Sequence, residues 1–310
     1  MHTGVRRTAA LLGVTGLLAA CSGSTSPSPT PSPPVAKVGS TLITQSQFDV
    51  RLQSTFVALQ QGGAPSADPT MQTSIRATVL RSLILDAIIA QEATAQGIEA
   101  TDSQVQAEIN TDAQQAGGMS QLESQLASAG GSMAQLQDEI RSELNEQRLE
   151  NAFARQRAAA VEQTLAGGAD FAATAQQYSD GTGTSSKGGD LGQLSTADLQ
   201  SDDPAFAAAV KALAVGTYTH TPVRDSGGYD IIEVYAATSS MWGVRHILVA
   251  APMPYSVQDR PAWFTGSLFT TVAQDCRAGQ IHVYTHDAGA DPCSGAPNLS
   301  PAPLPSLPGA

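Results

Sequence analysis

The stretch "GYDIIEVYAATSSMWGVRHILVA", Gly228 to Ala250, constrains the fold more than any other part of this chain. Two runs rich in β-branched and aromatic residues, "YDIIEVY" and "VRHILV", flank the polar interval "ATSSMWG". Taken as two strands, they can be joined across so short a polar interval as an antiparallel hairpin. In an antiparallel ladder the numbers of opposed residues keep a constant sum. Asp230 and His246 are equidistant from Thr238, so a hairpin centred there sets them directly opposite, with both side chains on one sheet face. A one-residue slip would turn one of them to the other face.

The N-terminal half reads as helices. "VAKVGSTLIT" (35–44) alternates apolar and polar residues around a Gly-Ser turn, a short hairpin. "TQSQ" at Thr44 then has the form of a capping box, and "TDSQ" at Thr101, "SQLE" at Ser120 and "SMAQ" at Ser132 repeat the device. Phe48, Leu52, Phe56 and Leu59 follow at helical spacing. So do Ile75, Val79, Leu83, Ile84, Ala87 and Ile88, before a stop at Gly97. The run from Leu136 through Ile140, Leu144, Leu149 and Phe153 extends toward Leu165.

At the start, Arg6 and Arg7 precede an apolar run too short to span a bilayer as a permanent helix. It ends in "LLAAC", which resembles a bacterial lipobox and makes Cys21 the expected lipidation site. The Ser/Pro stretch of residues 22–34 is expected to be a tether of roughly 40 Å at ~3.1 Å per residue. A body anchored on the extracytoplasmic face of the membrane is therefore expected. There Cys276 and Cys293 can form a disulfide, with two free thiols the alternative. The 28 Asp+Glu against 16 Lys+Arg give a net charge of −12, which argues against a nucleic-acid partner. Without the signal, the tether and the Pro-rich tail (294–310), roughly 260 residues remain, enough for two domains.

Two resemblances organise that remainder. "VAKVGSTLITQSQFD", "ILDAIIAQEATAQGIEATDSQVQAEI" and "LQDEIRSELNEQRLENAF" together resemble the helical chaperone domain of SurA/PrsA-type foldases, placed at 35–157. "LAGGADFAATAQQYSDGTGTSSKGGDLGQL" followed by "PAFAAAVKALAVGTYTHTPVRDSGGYDIIEV" resembles the parvulin-type prolyl isomerase domain, placed at 158–250, with 251–293 as a C-terminal extension. The expected class is α+β: a helical domain with a small antiparallel-sheet domain. The parvulin's opening strand, of the form HILV, is missing where the family has it and occurs only at His246–Val249. Because the family's first and last strands are sheet neighbours, the resemblance implies a circular permutation. A second, eroded repeat beginning at His246 is the alternative.

The resemblance implies a foldase that holds unfolded exported proteins and isomerises Xaa-Pro bonds, without metal or cofactor. It assigns Leu191, Leu199 and Phe206 to the apolar wall that receives proline. His246 matches the first of two family histidines, while Asp230 stands where the second belongs. The family's Cys/Asp position falls on Gly181, with Asp180 beside it as the candidate third polar residue. These departures leave a non-catalytic holdase, or a dedicated assembly lipoprotein, as alternatives. His220 lies outside the motif, and His282, His286 and Asp287 lack the framework of a metal site. A P-loop and a dinucleotide fingerprint are both absent from the sequence.

Overall fold

A computed structural model describes residues 32–61, 68–256, 259–285 and 289–294. The lipobox, Cys21 and most of the tether lie outside the described residues, as do His286 and Asp287.

The helical body begins with a hairpin of β1 (Pro34–Val38) and β2 (Thr41–Thr44). Its turn needs Gly39, whose φ of 54° lies in the left-handed region that other residues rarely adopt. Helix α1 (Gln45–Gln61) opens on the expected reciprocal cap. Gln47 N donates to Thr44 Oγ1, and Thr44 N to Gln47 Oε1. After α2 (Pro69–Ala95), helix α3 (Asp102–Ala116) uses Thr101 and Gln104 in the same way. Helix α4 (Met119–Ser128) departs from expectation, because it starts after Gly118 rather than on Ser120. Ser132 caps α5 (Met133–Ala166), whose 34 residues span about 51 Å at 1.5 Å each.

The C-terminal extension, 251–293, packs back onto the helical body. Helix α9 (Ala262–Arg277) packs Trp263, Phe264 and Leu268 against Ile89 of α2 and Leu149, Ala154 and Ala158 of α5. Strand β8 (Ile281–Val283) pairs antiparallel with β1, matching Lys37 with His282, and Ile281 joins Val38, Phe48, Leu80 and Ile84 in one core. Cys276 and Cys293 form a disulfide, Cα–Cα 5.4 Å, and both pack against that core. Burying apolar side chains of this size is worth about 1.5–3 kcal/mol each, which holds the returning chain in place. The sheet module is thus inserted between two halves of one helical body. One helix crosses the boundary at 157/158. It is α5, with Ala158 in the joint and Val161 and Leu165 in the module's core.

The module contains α6 (Phe171–Tyr178), β3 (Asp190–Ser195), α7 (Thr196–Ser201), α8 (Pro204–Ala212), β4 (Thr217–Tyr218), β5 (Val223–Arg224), β6 (Gly228–Ala237) and β7 (Met241–Ala250). Its sheet runs β3-β7-β6-β4, with β5 also on β6. The HILV strand β7 is therefore hydrogen-bonded to both β3 and β6 in a single sheet, which removes the separate-repeat alternative. Alternation along β6 and β7 gives two faces. Ile231 and Ile247 meet α5 and α6, while Ile232, Val234 and Val244 meet α7 and α8.

Candidate functional site

The hairpin forms, but its register differs from the one expected. Asp230 stands opposite Leu248, and Ile232 opposite His246, so opposed numbers sum to 478 rather than 476. Two local features move it. The turn closes as Thr238 N donates to Met241 O, around Ser239 and Ser240, and a bulge at Tyr235 takes up one further residue. A shift of two preserves the face, because side chains alternate with period two. Asp230 and His246 are thus diagonal neighbours on the face toward α8, and Asp230 Oδ1 lies 2.8 Å from His246 Nδ1.

Asp230 is 3% exposed. Burial pushes its carboxyl up to about 7; the hydrogen bond from His246 opposes the rise, and the nearby Asp225 carboxyl adds to it. Asp225 is fixed by its own turn, where Oδ1 accepts from Gly227 N and Gly228 N. The other ring nitrogen, His246 Nε2, lies 2.9 Å from Thr184 Oγ1. The glycine-rich loop reaches β7 because Gly189 has no side chain. A Cβ there would come within 2.2 Å of His246 O, and Gly189 O instead accepts from His246 N at 2.9 Å.

The apolar wall gathers on the same face. Leu199 and Phe206 are buried with Ile232, Val234 and Val244, and Leu191 packs half-buried against them. The Phe206 ring meets the His246 imidazole edge to face, centroids 6.4 Å apart. Asp180 is not part of this group. Its backbone N–H donates to Leu248 O, and its Oδ2 accepts from Ala250 N at 2.9 Å, four residues along β7 from His246 and about 13 Å away at 3.3 Å per residue. Burial raises its carboxyl, while the Ala250 N–H, the Arg157 charge and the Trp263 indole hold it down. Asp180 therefore binds the β7 backbone at Leu248 and Ala250 rather than the His246 side chain. His220 pairs with Glu162 at 3.2 Å. Among the described residues no His/Cys/Asp/Glu cluster is arranged to hold a metal.

Sequence reasoning missed Thr184 and Asp225, since a glycine-rich loop and a tight turn carry no periodicity. One signal pointed to Thr184: glycine at 181, where the family has a polar side chain. A Cβ on Gly181 would lie 2.7 Å from Thr184 Oγ1 and 3.3 Å from His246 Nε2. Thr184 thus reaches, from the next turn of the loop, the place that a side chain at 181 would take.

The model of the SurA-like N-terminal domain matches residues 6–150, and that of the PPIC-type PPIase domain matches residues 140–236. The chain thus carries a SurA-like N-terminal domain followed by a PPIC-type PPIase domain. The PPIase match ends before β7, so the strand bearing His246 fills its sheet slot from outside the matched segment. Over 74 residues the chain is 45% identical to the chaperone SurA of Chromohalobacter salexigens, covering 24% of this chain and 16% of that protein. Over 65 residues it is 42% identical to the foldase protein PrsA of Latilactobacillus sakei, covering 21% of each. These matches span about a fifth or less of the relatives' own length. A crystal structure of the foldase protein PrsA from Lactococcus lactis aligns with 85% of this chain and 98% of its own, at 13% identity and a TM-score of 0.33.

Proposed function

We propose that this chain is a lipid-anchored extracytoplasmic foldase. Its helical body holds unfolded or partly folded exported proteins, and its sheet module accelerates Xaa-Pro isomerisation, though weakly. The Asp230–His246 pair, set in the same layer as Leu199 and Phe206, is the observation that carries the reading. An Xaa-Pro bond crosses a barrier of about 20 kcal/mol in tens of seconds unaided. Lowering that barrier takes an apolar place for the proline ring, exclusion of water from the amide, and polar groups near the twisting carbonyl. Leu191, Leu199 and Phe206 supply the first two needs, and Asp230, His246 and Thr184 the third. Weak activity is expected because the polar floor holds one histidine where the family has two. Cys21 as the lipid-bearing residue belongs to the same proposal. Cys21→Ser is expected to stop lipid labelling, and unchanged labelling would refute the anchor.

A second reading, a non-catalytic holdase, has its own support. Phe206 and Leu199 are only 4% and 2% exposed, which leaves proline little open wall. A proline-peptide isomerisation assay separates the two. A measurable rate above the uncatalysed one supports the foldase, whereas no acceleration combined with suppressed aggregation of several unrelated unfolded proteins supports the holdase.

A further inference from the structure

His246 is held at both ring nitrogens, by Asp230 at Nδ1 and by Thr184 Oγ1 at Nε2. Thr184 Oγ1 also lies 3.3 Å from the carbonyl oxygen of Gly181. A hydroxyl has one proton, so it can donate to Nε2 or to an oxygen but not to both. The proton count of the Asp230–His246 pair decides which. With Asp230 protonated, its O–H donates to Nδ1, and the ring carries its proton on Nε2 and donates it to Thr184. The Thr184 proton then turns away from the ring, toward Gly181 O in the resting protein. When the pair loses one proton, Asp230 is a carboxylate accepting Nδ1–H. Nε2 becomes a bare lone pair, and the Thr184 proton is drawn to it.

We propose that Thr184 is a catalytic hydrogen-bond donor to the carbonyl of the isomerising Xaa-Pro bond, available while the Asp230–His246 pair is protonated and withdrawn when the pair loses its proton. This rests on the isomerase reading above. Three observations place the hydroxyl for that task. Thr184 is half-buried, so part of it reaches solvent. The imidazole it contacts also meets Phe206, so the donor and the apolar wall share one ring. Gly181 leaves the space that the hydroxyl occupies. Of the groups packed around the pair, Asp225 is the further titratable one bearing on Asp230. Helix α8 presents Phe206, and the loop presents Thr184.

The test is the pH dependence of kcat/KM for Xaa-Pro peptide isomerisation by the full chain, between about pH 5 and pH 9. Wild-type activity is expected to fall as the pair deprotonates, by about tenfold for one hydrogen bond. Thr184→Val should lose that factor at low pH and show a flat profile, while Thr184→Ser keeps the slope. Gly181→Ala should behave like Thr184→Val although the hydroxyl remains, because its methyl group displaces Thr184. Imidazole 15N NMR gives a readout apart from rate: Thr184→Val should move the Nε2 resonance of His246 and leave Nδ1 in place. An active wild type whose profile Thr184→Val leaves unchanged, or an unmoved Nε2 resonance, overturns this proposal alone. A wild type that accelerates nothing at any pH overturns the isomerase reading and this proposal with it.

Discussion

The two faces of the β6–β7 ladder share one backbone and one set of hydrogen bonds, yet they are filled differently. On one, Ile231 and Ile247 are packed by Val161 and Leu165 of α5 and by Phe171, Ala175 and Tyr178 of α6. On the other, Ile232, Val234 and Val244 lie under Leu199 and Phe206, and in that same layer sit Asp230 and His246. The apolar cluster on the first face is what stability alone would select. The second takes a carboxyl and an imidazole out of water, which costs free energy unless each is fully hydrogen-bonded, and often exceeds the cost of apolar residues of similar size. The Ile231/Ile247 face also carries an ion pair, Glu233–Arg245, but the most deeply buried polar pair, Asp230–His246, is on the second face, and such a departure from local consistency is where function is expected.

Mutations on the two faces should therefore separate stability from activity. Ile247→Ala empties a fully buried position and should cost about 2–5 kcal/mol in denaturant unfolding. A loss under 1 kcal/mol would show that this face is not the module's core. Removing the disulfide by Cys276→Ser with Cys293→Ser should cost about 3 kcal/mol in the chain-entropy model. Because the bridge closes the helical body, the isomerase pH profile should not change; a changed profile would mean that the two parts are coupled. His246→Leu strands a buried carboxyl and should cost about 1–3 kcal/mol. Asp230→Leu with His246→Leu should return stability to near the wild-type value while abolishing catalysis, since an apolar pair fills the site as well. A double variant less stable than the single would mean that the pair is structural.

Much of this architecture was legible in the sequence, and the misses share a cause. The hairpin, the caps at Thr44, Thr101 and Ser132, and the long α5 follow from local patterns, and local patterns determined them. The register was offset by two because turn position and the bulge at Tyr235 depend on packing rather than on symmetry about Thr238. The body's closing strand β8 was invisible because three residues pairing with β1 across nearly the whole chain leave no local trace. Nor does helical periodicity reveal Glu146 and Glu150, buried on α5 beside Arg260. Asp180 was drawn to the site by its place beside Gly181, but adjacent residues in a loop need not face the same way, and its carboxylate binds Ala250 N–H. Thr184 is the converse case, three residues from the aligned position yet in contact with His246.

The smallest expected effect bears most directly on the contrast between the faces. Burial raises the Asp230 carboxyl to about 7, with His246 opposing the rise and Asp225 adding to it, against 3.8 for the ordinary carboxyl. Between those values the folded protein holds a proton that the unfolded chain releases. Stability should therefore fall as pH rises from about 4 to about 7 and level off beyond, the reverse of the slope given by an exposed, salt-bridged carboxylate. Asp230→Asn removes the titrating group while keeping a polar side chain of the same shape, so its unfolding free energy should lack that decline. On the apolar face, Ile247→Ala should lower the whole curve without bending it. Denaturant unfolding at a series of pH values compares the three proteins directly. Wild type and Asp230→Asn running parallel from pH 4 to 7 would mean that Asp230 titrates alike in the folded and unfolded chains, and the proposed proton switch at Thr184 would lose its driver.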